Sequence, residues 1–304
     1  MTADTSNFPK APVTPPTPGW PDAWPAPAKL NLFLHVVGRR ADGYHLLQTV
    51  FCFIDRADYL RFAPREDGAV VLATPIPGVP PETDLTVRAA LALREAAGPR
   101  AAGSAAAAGV TITLDKRLPM GGGLGGGSSD AATTLLALNR LWGLDLPREQ
   151  LQAIGLRLGA DVPVFVHGRN TFAEGVGERF TDVAVPPAWY LVVVPPVAVP
   201  TPEIFRASDL RRDTPLIAAA AWQPGAGRND LEPVASRLYP EVARHLAVLR
   251  RFGDARMSGS GACCFVPFAR REAAEAAAAE LAAVEPDIRG FVAAGLEKHP
   301  LHAV

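Results

Sequence analysis

Cysteine is scarce: Cys52, Cys263 and Cys264 are the only three in 304 residues, and no two of them form a C-x-x-C pair. An odd count at these spacings argues against a disulfide framework or a zinc site and suits a reducing cytoplasm. Neither charge is in surplus, since 30 Lys and Arg stand against 31 Asp and Glu for a net charge of -1. Without a basic excess the chain has no electrostatic footprint for nucleic acid. No apolar run approaches the roughly 18 uncharged residues that cross a membrane. The N-terminus has no basic stretch leading into an apolar one, so it does not read as a signal peptide. Apolar side chains are plentiful: at 48% hydrophobic residues, the chain can bury one large core or two smaller ones.

The densest feature is the run Pro119-Met120-Gly121-Gly122-Gly123-Leu124-Gly125-Gly126-Gly127-Ser128-Ser129-Asp130, with six glycines within seven residues. Val110 to Leu114 before it alternates apolar and hydroxylated side chains, as a half-buried strand does. After it Ala131, Leu135, Leu138 and Trp142 recur at helical spacing until Gly143. The loop therefore opens a helix whose unpaired N–H groups and dipole can face an anion, and glycine lets backbone approach phosphate closely. A flexible linker is the alternative. Gly121, Gly123 and Gly126 satisfy G-x-G-x-x-G, but so would any tract this dense, and the acid that a dinucleotide fold needs about 20 residues on is missing, because Asp145 opens a helix. No Gly-Lys-Ser/Thr follows, which excludes a Walker A loop. Ser128 and Ser129 are left to cap the helix or to touch phosphate or its metal ion.

Elsewhere the chain is less explicit. Residues 1 to 25 hold seven prolines and read as a mobile tail. The alternation over Ala28 to Val37 predicts a strand with Lys29 and Asn31 on one face, joined by His35 if the alternation runs that far, though an exposed edge-strand lysine would look the same. Tyr44 and His45 close a charged loop; an aromatic beside an imidazole can stack on a base and bond its edge, or can simply begin a strand. Asp84 to Ala97 is helical by its spacing, and the Ala/Gly tract from 98 to 109 reads as a surface connection. Asp145 and Pro147 open a further helix that ends at Gly159. Asp161 then stands between that glycine and Pro163, either as a turn former or as a partly desolvated, rigidly held acid. Glycine-turn hairpin material follows from Thr171 to Phe180, then a strand at Trp189 to Val194, helices within Asn229 to Arg251 interrupted at Pro240, a small-residue loop Met257 to Ala262 entering a strand, an alanine-rich helix Arg271 to Val284 and a last strand from Gly290. Strands and helices mix without βαβ repetition, which predicts an α+β fold.

Three separated segments, Pro27-Ala28-Lys29-Leu30-Asn31-Leu32, the loop Gly121 to Ser129 with its helix, and Ser258-Gly259-Ser260-Gly261-Ala262, resemble the motifs of the GHMP small-molecule kinases. Gly43-Tyr44-His45, Leu118-Pro119-Met120-Gly121, Leu158-Gly159-Ala160-Asp161-Val162-Pro163 and Pro200-Thr201-Pro202 resemble, more narrowly, the members that act on a cytidine diphosphate-linked methylerythritol in non-mevalonate isoprenoid synthesis. The likeness runs from about Pro25 to the C-terminus. It implies two domains, 26–172 with the ATP-binding loop and 173–304, with the active site in the cleft between them, in a cytoplasmic monomer or homodimer that binds neither nucleic acid nor membrane.

The same resemblance implies that Asp161 accepts the proton of a substrate 2-hydroxyl with Lys29 beside it. ATP would lie on Lys116, Pro119, Met120, Gly121, Gly122, Gly123, Leu124, Gly125, Gly126, Gly127, Ser128 and Ser129, with Mg²⁺ near one of the two serines and Ser258, Gly259, Ser260 and Gly261 closing over the phosphates. Tyr44 and His45 would take the cytosine, and Asn31, Phe51, Thr201, Pro202 and Phe205 the rest of the substrate. Asp84 stands where close relatives are expected to carry asparagine, which unsettles any adenine contact there. Homoserine-type or mevalonate-type kinase, non-catalytic nucleotide sensor and partner-binding protein are the competing readings; Gly-Tyr-His speaks against the first pair, and the presence of both Lys29 and Asp161 against the sensor.

Overall fold

The computed structural model describes residues 23–102 and 104–304. Most of the expected tail thus lies outside the described residues, but its last two residues are strand: β1 spans Trp24–Arg39. Trp24 is buried and meets Phe62 edge-on, 6.5 Å between ring centres. Pro25 and Pro27 fit because among the described residues β1 pairs with one strand, β2 (His45–Pro64), so its other edge needs no ladder donor.

The chain continues through β3 (Val70–Leu72), α1 (Leu85–Ala97), α2 (Pro99–Ala102), α3 (Ala105–Ala108) and β4 (Val110–Asp115). The tract expected as a surface connection therefore holds two short helices, and its Ala101 and Ala106 pack into the core, because alanine favours helix and small side chains fit closely. Next come α4 (Gly126–Leu141), α5 (Arg148–Leu158), α6 (Val162–His167), β5 (Thr171–Glu174) and β6 (Arg179–Asp182). The C-terminal half contains β7 (Trp189–Val193), α7 (Thr201–Arg206), α8 (Glu232–Leu238), α9 (Pro240–Leu249), β8 (Arg256–Met257), β9 (Cys264–Phe268), α10 (Arg271–Val284) and β10 (Gly290–Leu296).

The strands form one ten-stranded sheet organised around β2, which pairs antiparallel with β1, β4, β5 and β10; among the ladders only β3 with β4 is parallel. This antiparallel layout makes the fold α+β. One core packs α1, α4, α5 and α6 against β1, β2 and β4 through Phe53, Leu93, Leu135, Ile154 and Phe165. A second packs α8, α9 and α10 against β7 and β9 through Leu191, Leu246, Val266 and Leu281. Leu30, Cys52, Leu124, Val192 and Phe265 form a seam between them.

Candidate active site

Between the two cores lies a cavity of about 540 Å³. Its floor is built from β1 and β2. In a strand alternate side chains share a face, and Lys29 and Asn31 do so: Lys29 Nζ donates to Asn31 Oδ1 at 2.6 Å. One extra residue then enters β1, since Asn31 pairs with Phe51 but Leu34 with Thr49. That bulge shifts the phase, so Leu34 is the next side chain on the cavity and His35 is not. His35 instead packs against Phe33 at 4.8 Å on the opposite face.

Lys29 is only 2% exposed, so its charge needs partners. Nζ lies 3.2 Å from Asp161 Oδ2, donates to Gly123 O at 3.0 Å and sits over the Phe51 ring at 5.4 Å. Asp161 is the residue immediately before α6, yet its carboxylate makes no capping bond and is 36% exposed to the cavity. A rigid helix start with Pro163 in its first turn thus holds an acid that the fold does not otherwise use.

The glycine loop forms the opposite wall. Gly125 takes a left-handed conformation with φ 73° as the N-cap of α4, and no side chain caps the helix. The first N–H groups of a 16-residue helix are therefore left free at the cavity, where they and the dipole favour an anion. Neither serine is a cap. Ser128 lines the cavity, whereas Ser129 is fully buried and its Oγ donates to Pro27 O at 2.7 Å, which turns it away from the cavity. Leu124 also turns away, into the seam between the cores, because a side chain there covers apolar surface. Pro119, Met120 and the other loop glycines face the cavity.

Lys116 reaches the cavity but is not a free cation. Its Nζ is bound by Asp58 Oδ2 at 2.5 Å and by Asp130 Oδ2 at 2.7 Å. Burial lowers the affinity of the ammonium for its proton, but Asp130 and Asp58 outweigh this and hold the pKa above its ordinary value. Burial pushes the Asp130 carboxyl upward, opposed by Lys116 and reinforced by Asp58. Asp58 also accepts the N–H groups of Arg117 and Leu118 at 2.5 and 2.7 Å, which fixes the chain leading into the glycine loop. Sequence reasoning had no signal for Asp58, a lone acid within a long strand.

The second small-residue loop closes the site from the C-terminal half. Gly259, Ser260 and Gly261 line the cavity. Ser258 is a buried strut rather than a contact: its Oγ donates to Gly123 O at 2.9 Å and accepts Asn31 N–H at 3.2 Å. Asn229, also missed from sequence, holds this loop by donating to the carbonyls of Met257 and Gly259, both at 2.8 Å. Thr201 and Phe205 of α7 complete the wall, and Thr201 Oγ1 lies 2.7 Å from Ser260 Oγ. Pro202 faces a separate shallow depression on the outer side of α7. Tyr44, 63% exposed, and His45 do not line the cavity; His45 stands at its rim, 4.8 Å from the Phe205 ring. Asp84 also lines the cavity and caps α1, its Oδ1 accepting the N–H of Thr86 at 2.8 Å.

This geometry agrees with the comparisons to known proteins. The GHMP kinases N terminal domain matches residues 84–169, and the GHMP kinases C terminal domain matches residues 208–287. The chain belongs to the GHMP kinases. These are ATP-dependent small-molecule phosphotransferases, and the cavity between the two cores is the cleft of the GHMP kinase fold. Within the family, the chain is 63% identical over 279 residues to the 4-diphosphocytidyl-2-C-methyl-D-erythritol kinase of Dechloromonas aromatica, covering 91% of this chain and 98% of that one. It is 60% identical over 280 residues to the enzyme of the same name from Thiobacillus denitrificans, covering 92% and 97%. The crystal structure of a 4-(cytidine 5'-diphospho)-2C-methyl-D-erythritol kinase superposes with a TM-score of 0.71 at 39% identity, over 90% of this chain and 98% of that one. The mevalonate kinase of Methanococcus jannaschii shares the fold, with a TM-score of 0.65 at 14% identity over 92% of this chain and all of that one. No helix among the described residues is long and apolar enough to cross a membrane.

Proposed function

We propose that this GHMP kinase transfers the γ-phosphoryl group of ATP to the 2-hydroxyl of 4-diphosphocytidyl-2-C-methyl-D-erythritol, a step of non-mevalonate isoprenoid precursor synthesis. The observation that carries the chemistry is an otherwise unused carboxylate, Asp161, held 3.2 Å from a buried lysine in the same cavity as an uncapped helix N-terminus. Identity of 63% along nearly the whole chain supports the choice of substrate.

In this reading Asp161 takes the proton of the 2-hydroxyl as its oxygen forms the new bond to phosphorus, and the bond from the γ-phosphorus to the bridging oxygen breaks to release ADP. Lys29 balances the charge of the carboxylate and orients the hydroxyl. The free N–H groups of α4 hold the triphosphate. Phosphoryl transfer asks mainly for such positioning and charge neutralisation. Mg²⁺ keeps several waters and binds through phosphates and one or two protein oxygens; the Ser128 hydroxyl, which lines the cavity, is a donor of that kind. When bound it would neutralise charge on the phosphate oxygens. We place the division between the two units within residues 183–188, because residues 172 and 173 are consecutive in β5, which pairs with β2. The buried, unpaired thiols of Cys52, Cys263 and Cys264 support a cytoplasmic setting.

The deciding assay offers ATP and Mg²⁺ with 4-diphosphocytidyl-2-C-methyl-D-erythritol, homoserine or mevalonate and follows ADP and product mass. ADP release with only the cytidylyl compound, and a product heavier by one phosphoryl group, supports the reading. Turnover of another acceptor instead keeps the kinase and discards the substrate, and ATP binding without any turnover discards the enzyme. Tyr44→Ala gives a second check. Stacking of a base on an aromatic ring contributes about 1–3 kcal/mol, so KM for the cytidylyl substrate rises about 5- to 150-fold while KM for ATP is unchanged. Equal rises in both constants would remove Tyr44 from the base site.

A further inference from the structure

Arg212 belongs to none of the site groups described so far, yet it is tied to the cavity mouth by four hydrogen bonds. Its Nη2 donates to the carbonyls of Phe205 and Ala207 at 2.9 and 2.7 Å, and its Nη1 to Leu210 O at 3.0 Å. These contacts lock the guanidinium across the C-terminal end of α7. Nε points to His45 Nε2 at 3.1 Å. His45 in turn lies against Phe205, with ring centres 4.8 Å apart and planes inclined by 30°. The hydrogen bond that the ring makes among the described residues is at Nε2, so Nδ1 is left without a protein partner there.

A guanidinium has donors and no acceptor. The nitrogen facing Arg212 must therefore present a lone pair, which leaves the single proton of the neutral ring on Nδ1. The environment favours that neutral form: burial, then Arg212, then Arg39, hold the imidazole below its ordinary value. We propose that Arg212 is a specificity-determining positioning residue that fixes His45 as the Nδ1–H tautomer, so that the ring donates to the unprotonated N3 of cytosine and rejects the N3–H of uracil. The inference rests on the substrate reading given above, because it presupposes a pyrimidine at the mouth of the cleft. Uracil would set two donors against each other at the same point. A site built for one hydrogen-bond polarity discriminates strongly against the opposite one, because its own group is left unpaired.

The test compares kcat/KM for the cytidylyl substrate with that for its uridylyl analogue in the wild type, Arg212→Met and Arg212→Lys. The ¹⁵N shifts of the His45 imidazole are recorded alongside. The wild type should prefer cytidine by about 100-fold or more, with His45 protonated on Nδ1. Arg212→Met, which keeps the length of the side chain but removes every donor, should bring the preference below about tenfold and shift the ring toward the Nε2–H tautomer, with KM for ATP unchanged. Arg212→Lys, which still only donates, should restore part of the preference. Full cytidine preference in Arg212→Met, or an Nε2–H ring in the wild type, overturns the proposal; the second measurement needs no variant to fold. Equal wild-type use of both pyrimidines overturns it too while leaving the kinase assignment standing. Turnover of neither pyrimidine compound defeats the substrate reading and the cytosine selection together, and the tautomer alone then decides whether Arg212 governs His45.

Discussion

Replacing Asp161 by asparagine should lower kcat by about 10²- to 10⁴-fold, equivalent to about 3–5 kcal/mol of transition-state stabilisation, the range that a positioned general base supplies. The size of the effect follows from what the carboxylate does not do. It makes no capping bond at α6 and carries no other hydrogen bond among the described residues beyond its pairing with Lys29. Asparagine has the same shape, so α6 keeps its start, and Lys29 keeps its bonds to Asn31 Oδ1 and Gly123 O. The glycine loop is therefore undisturbed, and KM for ATP should change less than threefold or so, since uniform binding is untouched when only a transition-state contact is lost. Steady-state kinetics with a thermal melt read both sides of this expectation. A folded variant with nearly normal turnover would take Asp161 out of the reaction and leave positioning alone to account for the rate.

The parts of this site that were legible in the sequence are those with a local signature. A strand running into a glycine tract and then a 3.6-residue repeat has few structural solutions, and β4, the loop and α4 follow it. The pairing of Lys29 with Asn31 was legible for the same reason, from a period of two. His35 was not, because the bulge after Asn31 is written in the pairing between β1 and β2 and not in either strand alone. Ser129 and Leu124 illustrate a second limit. Both sit inside the motif, but backbone geometry sends one to Pro27 O and the other into the seam between the cores, and residue type does not report that direction. Asp58 and Asn229 illustrate a third. Asp58 acts on residues about sixty positions away and Asn229 on a loop some thirty positions on, and each is an ordinary polar residue in its own neighbourhood. Arg212 is the same case, since its meaning depends on which nitrogen of His45 it meets.

Gly123→Ala should be the most damaging glycine-to-alanine change among the described residues, since its added Cβ would meet backbone at the shortest distance. Gly123 has φ +74°, which a side chain tolerates at a cost of about 1–2 kcal/mol. Strain is the smaller part. A Cβ there would stand 2.1 Å from Ser258 O and 3.1 Å from Gly261 O, both backbone atoms, so the two small-residue loops would have to separate. The carbonyl of the same residue holds Lys29 Nζ and Ser258 Oγ, so separation also loosens the lysine beside Asp161. Displacements of about 1 Å at a reacting centre cost on the order of 10²-fold, and kcat/KM should fall by at least that much, with a clear loss of thermal stability. Gly143→Ala is the control that separates the two causes. Gly143 has φ +61° but nothing within 4 Å of an added Cβ, and it lies past the far end of α4. It should lose about 1–2 kcal/mol of stability from the conformation alone and retain normal kinetics. If Gly123→Ala behaved like Gly143→Ala, the contact between the loops would be incidental and the glycine wall of the cavity would stand without it. Loss of activity in the first variant only would show that close backbone approach at Gly123, and not flexibility of the glycine run, is what the site requires.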